Sequence, residues 1–257
     1  MLFCRFRLSA NNWEEELSQV QDQADFVKEN SPKIYKEMVE EGTNLERTRE
    51  KERVYKEAQE KVEQISGMEK GVVKIVTILN VLGVSTSQSC EGHLDIEKDA
   101  RIIRPFVEVS SPSQPEKRFV GQERIIPKVA KKYGMKEEDV RTMLLHSAPW
   151  EEFQNAKETE KYKAWRKENK KIAKRGEKIL KEFYQDTAVP ETDRLTINEQ
   201  NSGQFEITNV GRGQEDILSG EQNLTQEQRA ALEQQLSRYQ DQMDNFASFL
   251  KEKYFTK

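Results

Sequence analysis

Residues 72–82 carry Val72, Val73, Ile75, Val76, Ile78, Leu79, Val81 and Leu82, interrupted only by Lys74, Thr77 and Asn80. A helix that is apolar on nearly every side cannot lie on a surface, because one apolar face or another would always meet water. The stretch therefore predicts a central helix that other elements must enclose. Ser66-Gly67-Met68-Glu69 just before it reads as a capping box, and Gly83 just after it supplies a left-handed stop.

The flanking patterns say what encloses it. V-S-T-S-Q-S-C at 84–90 has the β-branched and small residues of a strand, and P-F-V-E-V-S at 105–110 reads as a second strand, ended by Ser111-Pro112-Ser113. The segment between them reads as a polar loop. Leu195-Thr196-Ile197 and Phe205-Glu206-Ile207 alternate apolar and polar around the turn signal Asn201-Ser202-Gly203, which predicts a β-hairpin. Thr225 and Gln228 cap a last helix, in which Leu232, Leu236, Tyr239, Met243, Phe246 and Leu250 recur at spacings of four and three. The expected fold class is α+β and helix-rich: a small four-stranded, mostly antiparallel sheet with a buried helix, a C-terminal helix and long helical excursions.

Charged residues make up 34% and hydrophobic residues 35% of the 257-residue chain, against a globular average of roughly 25% and 45–50%. The excess charge comes with helix formers, so it predicts solvated helical surface. One such region is the N-terminal arm, where Pro32 opens a helix with Ile34, Met38, Leu45, Tyr55, Ala58, Val62 and Ile65 in a narrow stripe of the coiled-coil kind. A second runs from 123 to 183, with helices at 125–133 and 137–146, a turn at Gly134 between them, and a long helix after Pro149-Trp150. Residues 157–181 carry eleven Lys or Arg against four Glu, whereas 14–63 carry fifteen acids against nine bases, so the two helices are expected to pair. The expected domains are a charged helical arm over 1–65, an α+β core over 66–115 and 186–257, and a helical insertion over 116–185.

A net charge of −4 makes no global case for nucleic acid or an anionic membrane. No window approaches the roughly 20 apolar residues of a membrane span, and M-L-F-C-R-F-R-L lacks the apolar length of a signal peptide. Two cysteines, Cys4 and Cys90, cannot build a disulfide framework. The expected location is the cytoplasm.

Chemistry concentrates at 86–93, T-S-Q-S-C-E-G-H, at the end of the first strand. Three readings of it stand side by side. Cys90 is a nucleophile with His93 as base and Glu91 orienting it or exchanging protons, and Thr86, Ser87 and Ser89 bind a small-molecule or nucleotide substrate. Alternatively, Cys90 and His93 hold a divalent metal, completed by His146, Asp95 or Glu91. In the plainest reading Cys90 is a small buried residue, Gly92 serves a turn and His93 caps a loop.

The pattern at 69–71, 79–83, 86–95 and 105–109 resembles an uncharacterised family of bacterial proteins that share a T-S-x-S-C-E-G-H motif. The likeness extends through L-K-E-F-Y at 180–184, the hairpin at 194–209 and the closing M-D-N-F-A-S-F-L-K-E-K-Y-F, covering roughly 66–255. It implies no activity. A local likeness is to tRNA wybutosine-synthesising methyltransferases of the third step, whose unit ends in T-x-S-C-S-G-R; Glu91 and His93 replace two of its polar residues, so neither cofactor nor tRNA is implied.

Two further functional classes are open. The arm and the C-terminal seam suit a protein partner or a homo-oligomer. The basic helix at 157–181, with Tyr162 and Trp165 to stack bases, suits RNA, and the turn at 126–141 has the cadence of a DNA-binding pair of helices. Lys136-Glu137-Glu138-Asp139 at the start of its second helix would repel phosphate, which argues against DNA.

Overall fold

The structure, a computed structural model, describes residues 31–95, 101–146, 150–185, 187–200, 202–210 and 225–256, together with 21, 24, 25 and 27–29. The chain divides into two compact units, 1–54 and 55–257. Helix α1 (Pro32–Glu63) begins in the first and ends in the second. Within the first unit Ile34, Met38 and Leu45 are each more than half exposed, so the apolar stripe of the arm is open to solvent there. Tyr55 and Val62, in the last turns of α1, are buried in the core of the second unit.

Helix α2 (Lys70–Val81) is the central helix that its composition requires. Val72, Ile75, Val76, Thr77, Ile78 and Leu79 are all buried, and among its polar residues Lys74 reaches Asp244 and Ser248 on the C-terminal helix. Strands β1 (Ser85–Cys90), β4 (Phe106–Ser110), β5 (Leu195–Glu199) and β6 (Phe205–Asn209) form one antiparallel sheet in the order β1-β4-β6-β5. The four-stranded antiparallel sheet expected from the sequence is therefore present. Val107, Val109, Phe205 and Ile207 bury its apolar face in the cluster that holds α2. Helix α6 (Gln226–Thr256) adds Met243, Phe246 and Leu250 to that cluster, so the seam read as a partner surface is consumed inside the molecule. Its start is capped as expected: Gln228 N–H donates to Thr225 Oγ1 at 3.2 Å, and Thr225 N–H donates to Gln228 Oε1 at 2.8 Å.

Two local readings need correction. The segment after β1 is more than a polar loop: β2 (His93–Asp95) and β3 (Arg101–Ile103) pair antiparallel as a second, two-stranded sheet. Leu94 and Ile102 pack with Leu232, Leu236 and Tyr239 of α6, so these two contacts suffice to order the hairpin once a helix covers it. The proposed capping box also fails, because α2 starts one turn later, with Glu69 in the N-cap position and its side chain turned elsewhere.

Helices α3 (Gln122–Tyr133) and α4 (Glu137–His146) lie as expected on either side of Gly134, whose φ of 67° ends α3. They share a separate apolar cluster of Phe119, Ile126, Val129, Val140, Leu144 and Phe153. The long basic helix α5 (Glu160–Phe183) is amphipathic, and its inner face removes the aromatics offered for RNA stacking. Tyr162 is fully buried and donates to Ser202 O at 2.5 Å, while Trp165, 4% exposed, donates to Ser111 O at 2.9 Å. No helix among the described residues is long and apolar enough to cross a membrane.

The contrast between α2 and the arm is measurable. Ile78→Ala, at a fully buried position, is expected to lower the unfolding free energy by about 3 kcal/mol. Ile34→Ala, at a position 53% exposed, should change it by less than about 0.5 kcal/mol in the same denaturant titration.

Candidate metal centre

Strand β1 does not run evenly into its last residues. Thr86 pairs with Val109 but Ser89 pairs with Val107, so Ser87 and Gln88 together oppose Glu108 in a β-bulge. In an antiparallel ladder paired residues share a face, so Thr86 and Ser89 lie on the side of the apolar Val107 and Val109. Cys90, paired with Phe106, falls on the other. In a strand that alternated regularly, Cys90, four residues on, would share the side of Thr86.

Beyond Cys90 the chain turns at Gly92, with φ of 83°, into the hairpin that begins at His93. A Cβ on Gly92 would lie 2.8 Å from Pro105 N and Cδ and 2.9 Å from Ile103 O, so the returning strand passes against this glycine. Gln240 of α6 donates to the carbonyls of Glu91 (3.2 Å) and Gly92 (3.3 Å), which fixes the turn from outside. The result brings Cys90 Sγ to 3.6 Å from His93 Nδ1, with the Gly92 N–H donating to Sγ at 3.3 Å.

The acid that joins them is Glu69, not the adjacent Glu91. Ligating atoms of Glu69, Cys90 and His93 all lie within 4.8 Å of one another, a cluster able to hold a metal ion. Glu69 is oriented by the Glu91 N–H, which donates to its Oε2 at 2.6 Å. The Glu91 carboxylate points to the start of α2 and accepts the Gly71 N–H at 2.8 Å. A Cβ on Gly71 would lie 2.8 Å from that carboxylate, so the approach depends on glycine.

The distances suit a metal. With Zn–S of about 2.3 Å and Zn–N of about 2.0–2.1 Å at a tetrahedral angle, the sulfur and nitrogen of two ligands stand roughly 3.6 Å apart. Cys90 and His93 already have that separation. The donor set of carboxylate, thiol and imidazole is the mixture that borderline-soft divalent ions accept. Burial pushes the Cys90 thiol above its ordinary pKa; the Gly92 N–H opposes this, and the charges of Glu69 and Glu91 add to the rise. A neighbouring cation acts in the opposite sense, since it stabilises thiolate and carboxylate together.

The other expected site residues are dispersed. Ser89 Oγ contacts Met68 Sδ at 3.8 Å, beside Glu69, whereas Ser87 bonds to Glu108 at 3.1 Å and Gln204 at 3.3 Å, and Thr86 lies 3.5 Å from Asn80. The side chains of Asp95 and His146 lie outside the described residues, as does Cys4. Glu69 was read only as a capping residue, because no ligand spacing links positions 69 and 90. The E-x-G at 69–71 within the noted likeness was the one signal that pointed to it. Compared with known proteins, the chain matches no family model, no curated protein and no solved structure.

Gly83 and Gly92 separate the two costs of a left-handed glycine. Both have positive φ, but a Cβ on Gly83 meets nothing within 4 Å. Gly83→Ala should cost about 1 kcal/mol from backbone strain alone. Gly92→Ala should cost about 3 kcal/mol, because overpacking against Pro105 is added, and thermal or denaturant unfolding of the two variants will compare them.

Proposed function

We propose that Glu69, Cys90 and His93 bind one divalent metal ion, zinc by its ligand chemistry, and that the chain is a metal-dependent enzyme acting on a small molecule. The observation that carries this reading is the mutual approach of three unlike ligands to within 4.8 Å, brought together from the start of α2, the end of β1 and the start of β2. Three protein ligands leave a fourth tetrahedral position open, as in catalytic rather than structural zinc sites. A zinc ion in such a position supplies Lewis acidity and an activated water at neutral pH.

The chain's own residues divide the remaining work. His93 is exposed and forms the solvent side of the cluster, while Cys90 is 8% exposed and forms its floor. Glu69 is held by a backbone amide on one of its oxygens, which fixes the orientation of its carboxylate. The N–H of Gly92 donates to the sulfur, which favours a bound thiolate. The alternative of an unassisted cysteine nucleophile has less support, since two carboxylates lie near the thiol and both disfavour the thiolate that attack requires.

Elemental analysis of protein purified with zinc available should give one equivalent per chain, and cobalt in its place should produce a thiolate-to-metal absorption band. Cys90→Ser, His93→Ala and Glu69→Ala should each weaken zinc by more than about 100-fold. Gln240→Ala, which loosens only the turn, should stay within the roughly 10–100-fold of an outer-shell loss. A chain that takes up neither metal, or whose cobalt spectrum survives Cys90→Ser, rules the centre out.

A further inference from the structure

At the opposite end of α2 from Glu69 a cavity of about 170 Å³ opens between the helix, the apolar face of the sheet, α5 and α6. Leu79, Val109, Ile207 and Phe246 form its buried walls, and Ile172 and Ile179 of α5 line its outer side. An enclosed cavity of about 150 Å³ with Leu, Ile and Phe walls takes benzene, so an apolar space of this size and lining has room for a small hydrocarbon group. The space is bounded by a close approach rather than by loose packing. A Cβ on Gly176 would stand 2.5 Å from Ile197 Cδ1, and both residues line it.

One charged residue lines the cavity, Arg175, which is exposed on α5. Earlier cations on that helix are held by carboxylates: Arg166 pairs with Glu158 and Glu199, Lys170 with Glu199, Lys163 with Glu160, and Lys171 with Glu168. Among the described residues Arg175 has no carboxylate partner. It also stands on the stretch with eleven cations against four acids, so the potential at the mouth is positive. A guanidinium beside an apolar hole matches a ligand with a hydrocarbon part and a carboxylate, which its paired N–H groups bind in two parallel bonds.

We propose that this cavity binds an amphiphilic monocarboxylate, with an apolar part of roughly six carbons in the hole and the carboxylate on Arg175. The site is separate from the metal centre and does not depend on it. Calorimetric titration of the full chain with hexanoate, hexanol and hexylamine tests it. Hexanoate should bind at least tenfold more tightly than hexanol, and hexylamine more weakly than either. Arg175→Gln should bring hexanoate down to the level of hexanol. Ala173→Leu, which fills the cavity from α5, should abolish binding of all three. If that variant does not fold, as judged by circular dichroism, Val84→Phe fills the same space from the α2–β1 turn. Absence of hexanoate binding to the unaltered chain, a preference for hexanoate that survives Arg175→Gln, or binding that persists in the folded cavity-filled variant overturns the proposal.

Discussion

The start of α2 and the end of β1 are joined by an exchange of carboxylates. The Glu91 carboxylate accepts the Gly71 N–H at 2.8 Å, and the Glu91 N–H donates to the Glu69 carboxylate at 2.6 Å. A buried helix leaves its first amides without partners, and α2 has no acidic residue in its first turn and no cap from its own N-cap side chain. A negative group at that end is favoured by the helix dipole as well as by the hydrogen bond. Glu91 therefore does for α2, from twenty residues away, what a local capping box does elsewhere. Glu69, released from capping its own helix, is free to face Cys90.

The same economy of glycine runs through the site. Gly71 lets Glu91 come close, and Gly92 lets the chain leave the main sheet and fold back as a hairpin against Pro105. Because β2 and β3 are short, they need α6 beneath them, through Leu94 and Ile102 on Leu232 and Tyr239. Arg104 extends that contact with its guanidinium over the Tyr239 ring at 4.9 Å. His93 thus reaches Cys90 because a helix more than a hundred residues later in the chain supports the hairpin that carries it.

How far this was legible in the sequence depends on the range of the forces involved. The all-round apolarity of α2, the alternation at 195–207 and the Thr225–Gln228 cap are local patterns, and each corresponds to an observed element. The four strands and their antiparallel pairing were readable for the same reason. Cys90 and His93 were readable as neighbours because a glycine turn separates them by three positions. Glu69 was not readable as their partner, since only the docking of α2 on β1 brings it there. The hairpin at 93–103 was missed because Leu94 and Ile102, set among charged residues, signal a strand only when the covering helix is known. Tyr162 and Trp165 looked available because sequence gives composition of a helix more readily than the direction of each side chain.

Helix α5 illustrates that last limit in energetic terms. Its inner face is held by polar contacts that sequence cannot anticipate: Asn169 accepts from Ser111 N at 2.6 Å and donates to Gly203 O at 2.9 Å, in addition to the bonds made by Tyr162 and Trp165. Each buried donor or acceptor left without such a partner would cost about 1–3 kcal/mol, so these residues fix the rotation of the helix about its axis. Once that rotation is set, the lysines and arginines have only the outer face to occupy. Their density there is what remains when a helix of mostly charged residues turns its few apolar and amide groups inward. The charge run is thus a consequence of how α5 is anchored, and its excess positive potential is a property of the surface the anchoring leaves exposed.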